Sequence, residues 1–332
     1  MHTIAIDAMG GDNAPNQIIQ GALDALAAIP DTTIILVGQQ DVIEAQLKDK
    51  TYDKNRFRIH HASEVIATDE AAMAIRTKKD SSLAVGIDLL KAGTAQSFIS
   101  AGSTGAVLAG ATLKLKRLPG ISRPALATLL PNAKGHSMLI DSGANLDSKP
   151  DYLRQFGILG TAYMQHVRGI ANPTVGLVNV GTETDKGDAF SKEAYGILRD
   201  SNLHFHGNVE ARDVAQGTCD VFVCDGFVGN VVLKTAEGYS KFIFNTIKAE
   251  IMATLRTKLG GLLVKPAFAN IKQAFDYDDI GGAPFLGLRS LVIKAHGSSS
   301  ARSIVGCVRQ SKVFHDQQII AKLEAILEPK EA

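Results

Sequence analysis

IAIDAMGGDNAP, residues 4–15, joins a short apolar run to an acidic, glycine-rich turn and then to a proline. Behind the turn, Ile18, Ile19, Ala22, Leu23, Leu26 and Ile29 recur at spacings of three and four, the stripe of a helix whose first turn suits Pro15. Strand, polar turn and helix in that order make half of a βαβ unit, and the rhythm repeats. TIILVG (33–38) is the next strand. QSFISAG (96–102) leads to a helix from Gly105, HSMLID (136–141) to one after Pro150, TVGLVNVG (174–181) to one around Phe190 to Leu198, and VFVCDG (221–226) to one from Asn230. Strands this apolar are covered by helices on both faces, so the pattern predicts an α/β fold with a doubly wound, mostly parallel sheet in one domain over 1–332. The segment 239–275 breaks the rhythm. It reads as a helical protrusion interrupted by Gly260, Gly261 and Pro266.

The chain of 332 residues is 45% hydrophobic and 21% charged, and 35 basic against 34 acidic residues leave a net charge of +1. That balance provides no overall field for nucleic acid. No basic N-terminal leader and no apolar run of membrane-spanning length is present, so a soluble cytoplasmic protein is expected. Cys219, Cys224 and Cys307 are an odd, small number and suit reduced thiols, with Cys224 a buried apolar residue at the end of VFVC.

In an open parallel sheet, ligands sit beyond the carboxyl ends of the strands. Small, polar, glycine-rich turns fall there: the Asp7, Gly10, Gly11 turn, AGSTGA (101–106), DSGAN (141–145), NVGTETDKG (179–187) and DGFVGN (225–230). Glycine turns that open onto helix N-termini expose backbone N–H groups and form anion sites, and phosphate is the natural candidate. None of these turns carries the dinucleotide fingerprint or the P-loop, and Ser103 lacks the nucleophile elbow of serine hydrolases, so no nucleotide cofactor or covalent serine follows. Ser103, Thr104 and Gly105 form one anion-binding turn, with plain helix capping as the alternative. Asn145 in DSGAN and Asn179, Glu183 and Lys186 in NVGTETDKG are candidates to extend it, Lys186 as a cation for phosphate or an oxyanion, with a solvated helix start as the alternative. Asn230 and Lys234 lie one turn apart on one helix face and can converge on one ligand, with an N-cap and a surface charge as the alternative, and His296 at a sixth strand end is a candidate proton donor, with a structural histidine as the alternative. Asp7, Asp12 and Asp225 shape turns and orient the lysines, with metal selection by these acids as the alternative; no metal ligand set is assigned.

DAMGGD, SAGSTGA, DSGAN, NVGTETDKG, FHGNVEARD, DGFVGNVVLK, GGAPFLG and IKAHGSS occur in the order found in the PlsX-type phosphate acyltransferases, and the chain resembles that family over nearly its whole length. The resemblance implies transfer of a fatty acyl group from acyl carrier protein to inorganic phosphate, without a cofactor. The acyl phosphate formed serves phospholipid synthesis through a membrane glycerol-3-phosphate acyltransferase. It also implies an α/β/α sandwich like those of phosphotransacetylase and isopropylmalate dehydrogenase, and a homodimer. Phosphate would attack the thioester directly while Lys186, Asn230 or Lys234 stabilises the oxyanion. At the last motifs the chain departs from the family: Ile280 precedes GGAP, Phe285 stands where leucine is frequent, and Leu288-Arg289-Ser290 follow.

Within 239–275, Tyr239, Ile243, Ile247, Ile251, Leu255 and Leu259 recur every four residues among Lys241, Lys248, Arg256 and Lys258. This amphipathic basic face fits a dimer contact or a transient membrane contact at Leu262, Leu263 and Val264. The run LKLKRLPGISRPAL (113–126) is the local basic patch for an acidic carrier protein, through Lys114, Lys116, Arg117 and Arg123, or a solvated loop. A short-chain phosphotransacetylase using acyl coenzyme A is the alternative function, and a non-catalytic or dehydrogenase-like member of the fold the more distant one.

Overall fold

The first strand, β1 (His2–Asp7), is buried on both faces, and its alternation sorts the core. Ile4 and Ile6 pack with the apolar stripe of α1 (Asn16–Ala28), while Ala5 faces the opposite cluster. The computed structural model describes residues 1–274 and 281–327. Ile280, singled out above, and the last residue of the 239–275 segment lie outside them.

From β1 the chain continues through β2 (Thr32–Gly38), α2 (Gln40–Leu47), β3 (Phe57–His61), α3 (Ser82–Lys91), β4 (Ser97–Ser100) and α4 (Thr104–Lys114). The short β5 (Ala125–Leu126) and β6 (Thr128–Asn132) lead to β7 (Gly135–Ile140), α5 (Pro150–His166), β8 (Val175–Val178), α6 (Ala189–Arg199) and β9 (Phe205–Val209). Then come α7 (Asp213–Gln216), β10 (Val221–Val223), α8 (Gly226–Ile251), α9 (Leu255–Ala274), β11 (Ala283–Leu286), β12 (Leu291–Lys294), α10 (Ala301–Asp316) and α11 (Ile319–Leu327).

The fold class is α/β, with mostly parallel strands sandwiched by helices. Those strands divide between two sheets rather than forming one. A seven-stranded sheet runs β3-β2-β1-β4-β12-β11-β5, and a five-stranded sheet runs β6-β7-β10-β8-β9. Pairing is parallel except where β11 meets β12 and β5, and where β6 meets β7. The division falls at β5 and β6, which are separated by Ala127 alone and hand the chain from one sheet to the other. One core cluster unites the α1 and α10 side of the first sheet with the α5 side of the second. The far side of the first sheet is covered by α3 and α4, and that of the second by the first turns of α8. Phe285 is fully buried in the α3–α4 cluster.

Two expected boundaries move. The helix after VFVCDG starts at Gly226, not Asn230, because the Asp225 carboxylate caps it by accepting the N–H groups of Phe227 and Val228. The 239–275 segment is not broken at its glycines. α8 runs unbroken through Tyr239 to Ile251, and α9 restarts after Thr254, whose hydroxyl accepts the Thr257 N–H at 3.1 Å. No described helix is long and apolar enough to cross a membrane.

Candidate active site

β4 and β12 are parallel neighbours, with Ser100 opposite Lys294, so the segments leaving their carboxyl ends lie side by side. From β4 the chain passes through Ala101 and Gly102 to the N-terminus of α4; from β12 it forms the loop Ala295–Ser299. Together with α8, with Leu126, Thr128 and Leu129 and with the Ser142–Gly143 turn, these segments line a cleft of about 1330 Å³.

The acidic glycine turn of residues 7–13 stands behind that cleft and braces it. Asp7 is buried and accepts hydrogen bonds from Ser100 Oγ at 2.7 Å and from the Met9 N–H at 3.1 Å. Burial pushes its carboxyl above the usual range against those bonds. Gly10 lies so close to Asp7 and to the Gly102 backbone that a Cβ would collide with both. Gly11 has φ +102°, with Ala101 and the Gly297 carbonyl at its α-carbon. Asp12 N–H donates to the Gly297 carbonyl at 2.8 Å, and Asn13 Nδ2 to the Ser298 carbonyl at 3.0 Å. The turn therefore clamps the 101–103 and 296–299 segments together.

At the start of α4, Ser103 occupies the cap position but makes no capping bond with its side chain. Ser103 and Thr104 line the cleft at this helix N-terminus, an end that favours an anion. Gly105, one residue further, does not line the cleft.

On α8, Asn230, Leu233, Lys234 and Glu237 recur at three and four, so one helix face is turned to the cleft. Lys234 Nζ donates to Glu237 Oε2 at 2.7 Å and stands 3.4 Å from His296 Nε2, which is 3.7 Å from the same carboxylate oxygen. Ser298 Oγ lies 2.9 Å from His296 Nδ1. Burial raises the Glu237 carboxyl, but hydrogen bonds from His296 and Lys234 outweigh it and hold the group below its ordinary range. Glu237 was not singled out in the sequence; it draws the Lys234 ammonium and the His296 imidazole together at the cleft wall.

Lys294 was missed as well. It is only 8% exposed, lines the cleft, and donates to the carbonyls of Ala101, at 3.4 Å, and Ala295. Burial lowers its ammonium to about 8.

The other expected residues stand elsewhere. Asn145 braces the turn below Gly143: its Nδ2 donates to Asp141 and to the Pro124 carbonyl, both at 2.8 Å, and its carbonyl accepts the Gly226 N–H. The buried Asp141, raised by burial, holds that turn through the N–H groups of Leu126, Ala144 and Asn145. Asn179, Glu183 and Lys186 occupy the turn after β8 and do not line the cleft. Asn179 Nδ2 donates to Asn208 Oδ1 and to the Lys186 carbonyl, and Lys186 Nζ lies 3.8 Å from Glu183. Asp225 is the α8 cap. Among the cleft's neighbours, Cys224 is fully buried and its thiol is pushed well up by burial.

Beyond Glu237 the cleft continues between α8 and α9, where its lining turns apolar: Phe244, Ile247, Ile251, Met252 and Phe268, with Lys241, Lys248 and Lys265 beside them.

Residues 2–322 match the family described as "Fatty acid synthesis protein". A "Phosphate acyltransferase" of Clostridium botulinum (strain ATCC 19397 / Type A) is 48% identical over 322 residues, covering 97% of this chain and 96% of that protein. One of Clostridium tetani is 45% identical over the same shares. Among solved structures, a phosphotransacetylase from Streptococcus pyogenes superposes with TM-score 0.60 at 19% identity, covering 98% of this chain and 94% of that one. A branched-chain phosphotransacylase from Enterococcus faecalis gives 0.57 at 15% identity, covering 96% and 99%. At such identities the likeness is one of fold. Full-length matches at 45% and above are another matter: the chain belongs to the fatty acid synthesis protein family of PlsX-type phosphate acyltransferases and is a transferase enzyme.

Proposed function

We propose that the chain transfers a long-chain fatty acyl group from acyl carrier protein to inorganic phosphate, forming acyl phosphate for phosphatidic acid synthesis. The observation that carries this reading is the two-ended cleft, polar at the α4 N-terminus and apolar between α8 and α9. Its volume of about 1330 Å³ exceeds the roughly 300–1,000 Å³ of ordinary small-molecule pockets, which suits an extended alkyl chain better than an acetyl group.

In this reading phosphate rests at Ser103, Thr104 and the first N–H groups of α4, and one of its oxygens attacks the thioester carbonyl. Asn230 and Lys234 stabilise the oxyanion that forms; loss of one such donor typically costs about a hundredfold or more in rate. Collapse breaks the carbon–sulfur bond, and His296, 3.7 Å from Glu237 Oε2, hands the departing thiolate a proton. Phosphate is itself the nucleophile, so neither Ser103 nor the buried Cys224 forms an acyl intermediate.

The exposed α8–α9 tip, with Leu255 81% and Leu263 84% exposed and Lys258 and Lys265 adjoining, would rest on an anionic membrane surface where the product is consumed. Flotation with phosphatidylglycerol vesicles tests this part; protein that stays at the bottom of the gradient removes it.

The transfer is tested with purified protein, long-chain acyl carrier protein and phosphate, trapping acyl phosphate as hydroxamate, beside a parallel reaction with acetyl coenzyme A. Phosphate-dependent hydroxamate from the long-chain donor is expected. Product from the acetyl substrate alone would make the chain a short-chain phosphotransacetylase.

A further inference from the structure

Lys234 and Glu237 pair within one turn of α8, but the pair does little for the helix. The lysine precedes the acid, the weaker order for a helical ion pair, and exposed pairs of this kind contribute little. Glu237 is also the most buried of the three groups at this wall: its side chain is 27% exposed, against 53% for Lys234 and 56% for His296. Partial burial of a carboxylate has to be offset by what it holds. It holds two groups from different elements, one on its own helix and one on the loop after β12.

The loop determines which imidazole nitrogen meets the carboxylate. Ser298 N–H donates to His296 Nδ1 at 3.3 Å, and Ser298 is itself tied down, its carbonyl accepting Asn13 Nδ2 at 3.0 Å. An Nδ1 that accepts leaves the proton of the neutral ring on Nε2, the nitrogen 3.7 Å from Glu237 Oε2. Lys234 Nζ reaches the same oxygen at 2.7 Å, so the 3.4 Å between Nζ and Nε2 is the spacing of two donors turned to one acceptor. The other charged groups at this loop are Asp12, beside Gly297, and Lys294, which Lys234 repels; among the described residues neither pairs with Lys234 or His296.

We propose that Glu237 is a positioning residue, a shared acceptor that holds the Lys234 ammonium in place and keeps the His296 ring proton on Nε2. It acts through these two donors rather than on the substrates. Without it, Lys234 Nζ becomes a donor to Nε2, and Ser298 Oγ, 2.9 Å from Nδ1, accepts the ring proton there instead. The part the two donors play in acyl transfer rests on the function proposed above; the arrangement itself does not.

Long-range proton–nitrogen NMR spectra of the imidazoles at about pH 9, well above the ordinary histidine range, read the tautomer directly, with His296→Gln identifying the signals. Wild type is expected to show Nε2 protonated. Glu237→Met is expected to move most of the proton to Nδ1, and Glu237→Gln, which keeps a neutral acceptor, to fall between. In steady-state kinetics Glu237→Met is expected to lower kcat at least tenfold, with KM for phosphate and for the acyl donor within threefold and the melting temperature unchanged. A glutamate that only supports α8 would lower the melting temperature and leave the tautomer as it is. Should Glu237→Met not fold, Glu237→Gln carries the test through a smaller shift in the same direction. Wild type protonated on Nδ1, or a His296 signal that the variants leave unchanged, overturns the inference whatever the rate does; so does a kcat within twofold of wild type despite a shifted tautomer. A shifted tautomer in a protein whose wild type forms no acyl phosphate keeps the arrangement and overturns the function instead.

Discussion

Lys294 is charged at neutral pH in a place where loss of solvation favours the neutral amine. Burial lowers its pKa from 10.5 to about 8, so between those values the unfolded chain binds more protons than the native one. Its ammonium therefore weakens the native state below pH 8, and the penalty vanishes as pH rises toward 10.5. Urea midpoints are expected to show Lys294→Met more stable than wild type at pH 7, by roughly 2–3 kcal/mol, with the gap closing across that window. The comparison is between the two proteins because the buried Cys219, Cys224 and Tyr163, all raised by burial, tilt wild-type stability the other way at alkaline pH. A stability penalty kept at a cleft wall is the pattern of a binding group. Gly11 is the opposite case, placed for geometry. Its φ of +102° and its contacts with Ala101 and Gly297 leave no room for a methyl, so Gly11→Ala is expected to destabilise by about 2 kcal/mol or more in chemical denaturation. Ser103, Thr104, Asn230, Lys234 and His296 were legible because glycine-rich strand ends and a helical spacing announce them. Lys294 was not, because a lysine closing the apolar run LVIK reads as a strand end turning to solvent, and only the neighbouring β4 turn buries it.

The element that matters most is α8, which carries one cap and two kinds of cleft wall on one face. Asp225→Ala removes the acceptor of two N–H groups and is expected to cost about 1 kcal/mol, with kcat falling because Asn230 and Lys234 lie in the first turns; Asp225→Asn restores most of both. A kcat unchanged in the alanine variant would show that the start of α8 does not position those residues. Further along, Ile247 faces the cleft between Phe244 and Ile251. Ile247→Trp is expected to lower kcat/KM for a long-chain donor at least tenfold and leave a four-carbon donor within threefold; equal loss on both would place the acyl chain elsewhere. The helix boundaries were only partly readable. Gly260 and Gly261 look like breakers, but α9 accommodates them, and Gly261 packs on the Ile251 side chain. The actual break is signalled by Thr254 and Thr257, a reciprocal hydroxyl pair at the start of α9 that resembles a capping box.

At the scale of the whole molecule, the apolar strands and the periodic helices were enough for the α/β class, but not for the division into two sheets. Nothing in local propensity separates β5 from β6; the split depends on which partner strands, β11 and β7, each finds across long loops. In that arrangement the turn carrying Lys186 does not line the cleft, whereas the segments leaving β4 and β12 line it together with α8. The cleft this arrangement creates has an anion end and an apolar end, and the account stands on their acting on one substrate pair. Its most direct test is kcat/KM against donor chain length, from two to eighteen carbons, with phosphate saturating. Each buried methylene is worth about 0.8 kcal/mol, so the account predicts a rise of up to roughly fourfold per methylene until the groove between α8 and α9 is filled, then a plateau. A flat series, or one that peaks at two carbons, would contradict it.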